Sequence, residues 1–473
     1  MPNAASNVDN QSMRCFLDMV ATDHPDELLR IAQPVDTRFD MTAIAYELER
    51  AGKSPVIIFE KPLFANPGAN GMQVVTNVAG NRTLLAACLG VAPQDLPTAF
   101  RERCQRYIPC ETVKDAAWHD VVIEGEALDL SKLPIPLQFA VDGGPYITAG
   151  QIAARDPVTG VDTTGFHRLM LKGKNRLGVS LHSRRRMYEF QRRAEERGEA
   201  LPAAVIIGTH PLHYMGSMVY AYPPHVRKME IIGGLFGEPY RVARCGVGDL
   251  EVPAGAEIVI EGEILAETRE PEGPFGEFTG YASYRSTQHV FVAHRVRMRR
   301  DAIFQSVTSG MSRDHILVSC VTREGEILNA LRRNLPNVRA VHVPHTSCGA
   351  FTAYISMKKV ADGEPQTAIM AALGTEFYTK HVIVVDDDVD IFDTNDVMWA
   401  VATRVRPDKD IFFIPGAKGA ILDPTSDPEN FTVTKMGIDA TRPAGRDFAE
   451  RLVIPDEQRV RARSLLAAAG VKI

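Results

Sequence analysis

The middle of the chain, from Ala117 to about Met298, consists of short β-rich runs separated by turn residues such as GG, DPVTG and PAGAE. Runs such as DVVIEGE, YITAGQIAARD and AEIVIEGEIL have the length and composition of β-strands. We expect them to form an antiparallel barrel or sandwich. The run RMYEFQRRAEERG in the same stretch has a helical pattern and predicts a helical insert.

The segments on either side of this centre alternate between helix and strand patterns. Before it, MTAIAYELERAG and NRTLLAACLG are typical of helices, and SPVIIFE is typical of a buried strand. After Ala302, ILNALRRNLP and QTAIMAALGTEF alternate with AVHVPH and HVIVVDDDVDI. Such alternation predicts α/β layers, so the expected fold class is α/β and β. The final segment, PDEQRVRARSLLAAAGV, predicts a helix whose apolar side could dock on another element or subunit.

The composition favours a small-molecule partner over a nucleic acid or a membrane. The 473 residues carry 53 Lys and Arg against 59 Asp and Glu, and the basic residues are scattered except at Arg184 to Arg186. Nucleic acids and anionic membranes are bound by concentrated positive charge, which this chain lacks as a whole. The first residues lack the order of a signal peptide, and no apolar run is long enough to span a bilayer. We therefore expect a cytoplasmic protein.

The segment EPEGPFGEFTGY, at residues 270–281, is the most informative candidate for chemistry. Glu272 and Glu277 flank a Gly-Pro-Phe-Gly turn, which allows the backbone to fold sharply and present both carboxyl groups to one place. Two neighbouring, partly desolvated acids differ in proton affinity, so one of them can remain protonated as a proton donor near neutral pH. A polar turn whose acids face water is the alternative.

A second candidate segment, TTGFHRLMLKGKNRLGVSLHSRRR, begins at Thr163. Arg168 could hold a carboxylate by paired hydrogen bonds, and the basic cluster at Lys172, Lys174 and Arg184–Arg186 could neutralise a phosphate. A solvated surface is the alternative for that cluster. His182 has no HxH or HExxH spacing beside it, so the residues alone favour an ordinary histidine over a metal ligand.

Several stretches, in order along the chain, resemble the UbiD family of reversible aromatic-acid decarboxylases, which use prenylated flavin mononucleotide (prenylated FMN). They are GFHRLMLKGKNRLGVSLH, EGPFGEFTGY, VIVVDDDVDIFDTNDVMWAVATRVRPDKDI, LDP at residues 422–424 and KMGIDATRP at residues 435–443. The resemblance implies a cofactor-dependent carboxy-lyase. The chemistry agrees, because loss of carbon dioxide from an aromatic acid leaves electrons that no standard side chain can hold.

The resemblance also implies how the domains are arranged. It implies a split β-barrel that binds the flavin, inserted in an N-terminal α/β unit and followed by a C-terminal α/β oligomerisation domain. On this chain the expected units are residues 1–116, 117–305 and 306–452, with an intersubunit helix in residues 453–473. The expected partners are a flavin prenyltransferase, which supplies the cofactor, and further copies of the chain in a homodimer or homohexamer.

By resemblance, the catalytic residues are Arg168, Glu272 and Glu277. Glu277 is expected to protonate the carbon left when carbon dioxide departs, while Arg168 and Glu272 position Glu277 and tune its proton affinity. The expected function is reversible, non-oxidative decarboxylation of an aromatic or heteroaromatic acid. The residues fix neither the acid nor the physiological direction. The alternative from another class is a catalytically silent flavin-binding or assembly subunit, against which the intact trio argues.

The resemblance places the cofactor around Arg168 and the helices that follow it. The residues expected to contact the flavin are Thr163, Phe166, His167, Arg168, Leu181, His182, Ser217, Met218 and Lys228. The residues expected to line the substrate pocket are Leu181, Phe278 and His315.

The expected metal site departs from the family pattern. In the family, a manganese ion, usually with a potassium ion, holds the flavin phosphate through an asparagine, a histidine and a glutamate. The histidine corresponds to His182, but the asparagine position is Thr163 and the glutamate position falls on Lys228, with Glu230 two residues later. A lysine repels a cation but can pair with a phosphate directly. We therefore predict that Lys228 replaces part of the metal's role, or that Glu230 reaches round to the metal.

Overall fold

Four β-sheets organise the chain, whose computed structural model describes residues 9–64, 71–181 and 185–471. Three of the sheets correspond to an N-terminal unit, a central half-barrel and a C-terminal domain, and a small fourth sheet lies in the central segment. Within the described ranges, no helix combines the length and the apolar character that crossing a bilayer requires.

The N-terminal unit packs helices on a four-stranded sheet. Its elements are α1 (Met13–Asp23), β1 (Leu28–Asp36), α2 (Asp40–Arg50), β2 (Val56–Leu63), β3 (Val74–Thr76), α3 (Arg82–Cys88), α4 (Leu96–Arg103) and β16 (Phe304–Gln305). Met13, Phe16 and Val20 share one face of α1 because of their helical spacing, and they pack against Val56 and Ile58. The strand order is β1-β2-β3-β16. Since β16 follows the central segment in sequence, that segment is an insertion between two strands of this sheet.

The central segment forms a nine-stranded sheet that is antiparallel throughout. Its strands are β5 (Val121–Glu124), β6 (Tyr146–Ile147), β7 (Gln151–Arg155), β8 (Asp162–Phe166), β9 (Leu169–Leu171), β10 (Arg176–Val179), β11 (Leu201–Ile207), β14 (Ile258–Glu272) and β15 (Ser286–Met298). Their order is β6-β9-β10-β15-β14-β11-β7-β8, with β5 beside β15, and the described end strands do not pair with each other. The sheet is therefore an open half-barrel, and the prediction of an antiparallel β-rich centre is confirmed.

Helices cover both faces of the half-barrel. They are α5 (Arg186–Glu195), α6 (Pro211–Ser217) and α7 (Lys228–Phe236), and the small sheet consists of β4 (Glu111–Thr112), β12 (Arg241–Arg244) and β13 (Glu251–Pro253). Successive residues of a strand point to opposite faces, so Val205 and Ile207 pack with α5, whereas Ala204 and Ile206 pack with α7. The predicted helical insert is confirmed as α5.

The C-terminal domain is a five-stranded sheet with helices. Its elements are α8 (Arg313–Arg332), β17 (Val338–His342), β18 (Thr352–Met357), α9 (Glu364–Thr375), β19 (His381–Asp386), α10 (Thr394–Arg404), α11 (Pro407–Asp410), β20 (Ile411–Lys418), β21 (Thr432–Ala440) and α12 (Asp456–Ala468). The strand order is β17-β18-β19-β21-β20, with parallel pairing in the middle and antiparallel pairing at both edges. The predicted α/β alternation is confirmed.

The final helix predicted from the sequence is confirmed as α12. All of its residues are exposed, including the apolar Val460, Leu465 and Leu466. Its docking on a second subunit stays a prediction.

Candidate active site

Two adjoining cavities lie against the half-barrel. The first cavity has a volume of about 280 Å³ and is lined by residues of the half-barrel and of the C-terminal domain. The second cavity, of about 490 Å³, is lined by residues of β8, α5, α6 and α7. Phe166, His167, Arg185 and Met218 line both cavities, so the two adjoin along these side chains. Their volumes are in the range of small-molecule and cofactor sites.

A cluster of one arginine and two glutamates forms part of the wall of the first cavity. Arg168 donates from Nε and Nη2 to the two carboxylate oxygens of Glu272, at 2.9 and 2.7 Å, and from Nη1 to Oε1 of Glu277. The Glu272 side chain is fully buried, and those of Arg168 and Glu277 are 8% and 10% exposed. The structure therefore brings together the three residues that the sequence predicted to be catalytic.

The turn between the two glutamates directs both of them to the same guanidinium group. Glu272 is the last residue of β14, and Glu277 follows five residues later in the loop. Gly276 passes so close to Phe139 that a Cβ atom at Gly276 would lie 2.4 Å from the phenyl ring. Between the glutamates, the ring of Phe275 lies 5.1 Å from the Arg168 guanidinium. This packing explains the Phe-Gly pair at residues 275–276 of the turn.

Tyr146 supports the cluster and was not found by the sequence analysis. Its hydroxyl donates to Oε1 of Glu272 at 3.0 Å and accepts the backbone N–H of Gly273 at 3.1 Å. Burial and the Glu272 carboxylate raise the pKa of Tyr146 well above its ordinary value, so the hydroxyl stays protonated as a donor. The only signal in the sequence is that a buried tyrosine needs a partner for its hydroxyl.

Replacing Tyr146 by phenylalanine is expected to destabilise the protein without unfolding it. The change leaves the buried Glu272 carboxylate with one donor fewer and removes the acceptor of the Gly273 N–H. We expect the free energy of unfolding to fall by about 1–3 kcal/mol, measured by urea denaturation. Tyr284→Phe is the matched control, because Tyr284 is 93% exposed. An equal change in the two variants would contradict the assigned hydrogen bonds.

His315 and Phe278, both predicted to face the substrate, line the first cavity. The two rings are in an edge-on arrangement, with their centroids 6.5 Å apart. The Nδ1 atom of His315 donates to the carbonyl of Gly310 at 2.9 Å, so Nε2 is the acceptor of the neutral ring. Burial lowers the pKa of His315, although the nearby Glu277 carboxylate acts in the opposite direction. Leu181, predicted for the same pocket, is instead packed in the apolar core with the half-barrel strands.

The first cavity also contains an arginine from the C-terminal domain that the sequence analysis missed. Arg323 of α8 donates from Nε to Glu376 at 2.9 Å, and its guanidinium lies 5.0 Å from the ring centroid of Tyr378. Arg168, Arg185 and Arg323 all line the first cavity together with Glu277. No motif marked Arg323, because only the folded chain brings α8 against the half-barrel.

The second cavity contains most of the residues predicted to bind the cofactor. These are Thr163, Phe166, His167, Ser217, Met218 and Lys228. His167 donates from Nδ1 to the carbonyl of Ser180 at 2.9 Å, and burial lowers the pKa of His167 to about 4, so its ring is neutral near pH 7. His182, predicted as both a cofactor contact and a metal ligand, lies outside the described residues.

Lys228 is a buried cation in the wall of the second cavity. It is the first residue of α7 and is 5% exposed. Its ammonium group donates to the carbonyl of Ser217 at 3.1 Å and to the carbonyl of Val219. Burial, reinforced by the positive charges of Arg185 and Arg186, lowers the pKa of Lys228 to about 7.

The described residues fit a flavin better than a divalent metal. Aromatic rings and a methionine line the junction of the cavities, and the buried Oγ1 of Thr164 has no hydrogen-bond partner in the described chain. Glu230 caps α7, because its Oε2 accepts the backbone N–H of Arg227 at 3.2 Å, and it does not line the second cavity. Its reach to a metal stays a prediction. Within the described ranges, no three His, Cys, Asp or Glu residues come together as a metal site.

Comparison with known domain families covers most of the chain. Residues 21–104, 111–312 and 316–440 match, in this order, the N-terminal, Rift-related and C-terminal domains of 3-octaprenyl-4-hydroxybenzoate carboxy-lyase (UbiD). Two curated relatives are named anhydromevalonate phosphate decarboxylase. The one from Methanothermobacter thermautotrophicus is 34% identical over 91% of this chain and 97% of its own length. The one from Methanosarcina mazei is 35% identical over the same shares.

Solved structures with the same fold include flavin complexes. The UbiD-class enzyme HmfF from Pelotomaculum thermopropionicum, in complex with FMN, superposes with a TM-score of 0.89 and 35% identity, covering 96% of this chain and 99% of HmfF. An evolved dimeric form of that enzyme, in complex with prFMN (prenylated FMN), gives a TM-score of 0.86 and 34% identity, covering 96% of this chain and 100% of that chain.

Proposed function

Because this chain belongs to the UbiD family of carboxy-lyases, we propose that it releases carbon dioxide from an aromatic or heteroaromatic acid with prenylated FMN as cofactor. The observation that carries the proposal is the cluster of Arg168, Glu272 and Glu277, in which Arg168 and Glu277 line the first cavity and Glu272 is buried behind them. A binding-only subunit has no need for a buried arginine that holds two carboxylates, one of them at the cavity surface.

The two adjoining cavities suit the two ends of the cofactor, its flavin ring system and its phosphate. The rings of Phe166 and Tyr214, 4.0 Å apart between centroids, would pack near the flavin ring system together with Met218. Lys228 and Thr164 would face its phosphate. When bound, prenylated FMN supplies the electron sink that takes up the electrons released as carbon dioxide leaves.

Glu277 is the proton donor in this proposal. Arg168 holds Glu277 through Oε1, so Oε2 can carry the proton that replaces the departing carboxyl group on the substrate carbon. The transfer leaves Glu277 as a carboxylate, which regains a proton from solvent before the next turnover. In the carboxylation direction the same oxygen removes the proton from the carbon.

Arg168 and Glu272 act as positioning residues. Both oxygens of Glu272 are bound by Arg168, and Tyr146 binds one of them as well, so the guanidinium has a fixed orientation. A fixed guanidinium directs Glu277 towards the cavity and reduces the reorganisation needed during proton transfer. The apolar side chains of Phe275, Phe278 and Val307 limit the water around the reacting carboxylate.

A second candidate substrate is a phosphorylated, non-aromatic unsaturated acid. Two relatives are named anhydromevalonate phosphate decarboxylase, and Arg185 and Arg323 line the same cavity as Glu277. Guanidinium groups bind phosphate oxygens in a planar, bidentate manner. A substrate with a second anionic group would therefore find a cationic partner in the same cavity as the proton donor.

A substrate panel tests both candidates. The protein is co-produced with a flavin prenyltransferase and assayed for carbon dioxide release from hydroxybenzoates, furan and pyrrole carboxylates, and anhydromevalonate phosphate. Turnover of a ring acid supports the first candidate. Turnover of anhydromevalonate phosphate alone, with a raised KM in Arg323→Gln, supports the second. A flavin-loaded protein that releases no carbon dioxide from any acid of the panel would instead support the silent-subunit alternative.

A further inference from the structure

The wall of the second cavity contains a cation that belongs to the chain itself. We infer that the Lys228 ammonium binds the cofactor phosphate directly, so that flavin binding by this protein requires no divalent metal. The inference rests on the proposed function, because its ligand is the phosphate of the flavin. The inference concerns only how the flavin phosphate is bound. It can therefore be tested with FMN that lacks the prenyl group, and without substrate.

The ammonium group of Lys228 is fixed in place by the main chain. The carbonyls of Ser217 and Val219 accept two of its hydrogen bonds, at the end of α6. A lysine has three N–H donors, so one remains for a ligand in the cavity. Main-chain carbonyl oxygens are also ligands of bound metal cations. The lysine therefore hydrogen-bonds to carbonyl oxygens that would otherwise be available as ligands of a metal cation.

The charge of the cavity wall favours an anion. Arg185 and Arg186 line the same cavity as Lys228, and Glu189 is the carboxylate among the lining residues. Glu189 is bound outward to Arg192 and Arg193. A dianionic phosphate complements such a wall, whereas a divalent cation would be repelled by it.

Asp162 of β8 and Glu230 of α7 both interact with Arg227. Asp162 accepts from Nε of Arg227 at 2.7 Å, and Glu230 caps the N-terminus of α7 through the Arg227 N–H. Neither of them lines the second cavity. The described residues thus provide no acidic ligand set that would compensate for the ammonium charge.

A hydroxyl group in the same wall has no hydrogen-bond partner. Thr164 is 2% exposed and lines the cavity, and within the described residues its Oγ1 atom makes no hydrogen bond. Buried hydroxyl groups are normally paired, so this atom indicates a polar ligand. The neighbouring Thr163 is at the position where the family has asparagine. Its Oγ1 atom lies 3.1 Å from the hydroxyl oxygen of Tyr222. Lys228 and Thr164 together provide donors for phosphate oxygens.

The test compares FMN with riboflavin, which lacks the phosphate, on the apoprotein. Binding is followed by quenching of flavin fluorescence, once with EDTA and once with Mn²⁺. We expect the wild type to bind FMN equally well under both conditions, within about twofold. In Lys228→Met we expect FMN to bind about tenfold more weakly or worse under both conditions, because a charged hydrogen bond is lost. Riboflavin binding should be unchanged in the variant.

Three further variants complete the test. Lys53→Met is the control, because Lys53 is exposed and is not among the residues lining the cavity. Lys228→Arg keeps the charge and should retain most of the preference for FMN over riboflavin. In Thr163→Asn/Lys228→Glu, which restores the two family residues, we expect FMN binding to be weak in EDTA and to recover with Mn²⁺.

Two results would overturn the inference, and a third replaces the second of them if Lys228→Met does not fold. One is a wild type that loses FMN in EDTA and regains it with bound manganese, measured by elemental analysis. The other is a folded Lys228→Met, with a native near-ultraviolet circular dichroism spectrum, that still prefers FMN over riboflavin. A folded wild type that binds neither flavin under either condition would contradict the proposed function itself. If Lys228→Met does not fold, a Lys228→Arg variant that loses the preference for FMN while keeping riboflavin binding would also overturn the inference.

Discussion

Replacing Glu277 by glutamine is expected to abolish decarboxylation while leaving flavin binding intact. The amide keeps the size of the side chain and an oxygen that accepts from Arg168, but it has no acidic proton to give to the substrate carbon. General acid catalysis contributes about 10²- to 10⁴-fold to the rate, and a loss of this size is expected in kcat. Carbon dioxide release and the visible spectrum of the bound flavin are measured on the same sample.

Glu270→Gln is the matched control for this variant. Glu270 lies in the same segment, but its carboxylate is partly exposed and pairs with Lys172 and Arg176 outside the first cavity. We expect this variant to keep its activity. If Glu277→Gln kept the wild-type rate, the proton would have to come from another group, and a loss of carbon dioxide release in His315→Gln would then implicate His315.

Replacing Arg168 by methionine is expected to lower both stability and activity. Arg168 binds both oxygens of the fully buried Glu272, so its removal leaves a carboxylate without its cationic partner in the interior. Breaking a buried ion pair in this way costs about 3–5 kcal/mol in the free energy of unfolding. Decarboxylation should also fail, because Glu277 loses the group that directs it. Urea denaturation gives the stability, and carbon dioxide release gives the activity.

A double variant separates the two effects of this substitution. Arg168→Met/Glu272→Gln removes the uncompensated charge, so about 1–3 kcal/mol of the lost stability should return, while activity should not. Arg176→Met is the control, because its ion pair with Glu270 is partly exposed and is worth about 0–1 kcal/mol. A double variant no more stable than Arg168→Met would contradict the view that the buried charge of Glu272 dominates the destabilisation.

The candidate site was predictable from the sequence where its chemistry is local. Glu272 and Glu277 are joined by a short turn, so the segment itself indicates two acids presented to one place. The resemblance to the family marked Lys228 as a cation at the glutamate position, but the carbonyls of Ser217 and Val219 that hold it come from another helix and the loop after it. That Glu230 reaches a metal stays a prediction, and the sequence did not show that helix α7 uses one oxygen of its carboxylate as a cap.

Other site residues could not be predicted from the sequence, because their contacts join segments that are far apart in the chain. Tyr146 reaches Glu272 from a strand 126 residues earlier in the chain, and no motif marks that relationship. Leu181 lies two residues beyond the end of β10. At that point the alternation of faces along a strand no longer predicts the direction of a side chain. It therefore packs in the core rather than in the pocket predicted for it.

By itself, the sequence determined the layers of this protein, because strand alternation, helical spacing and turn residues are properties of short segments. Only the tertiary structure decided which charges meet in the interior. Arg168 lies directly before β9 and 104 positions before Glu272, and their contact depends on how β9, β10, β15 and β14 are aligned in the half-barrel. A slip of one residue in that alignment would turn the side chains to the opposite face, so the site exists only in the assembled sheet.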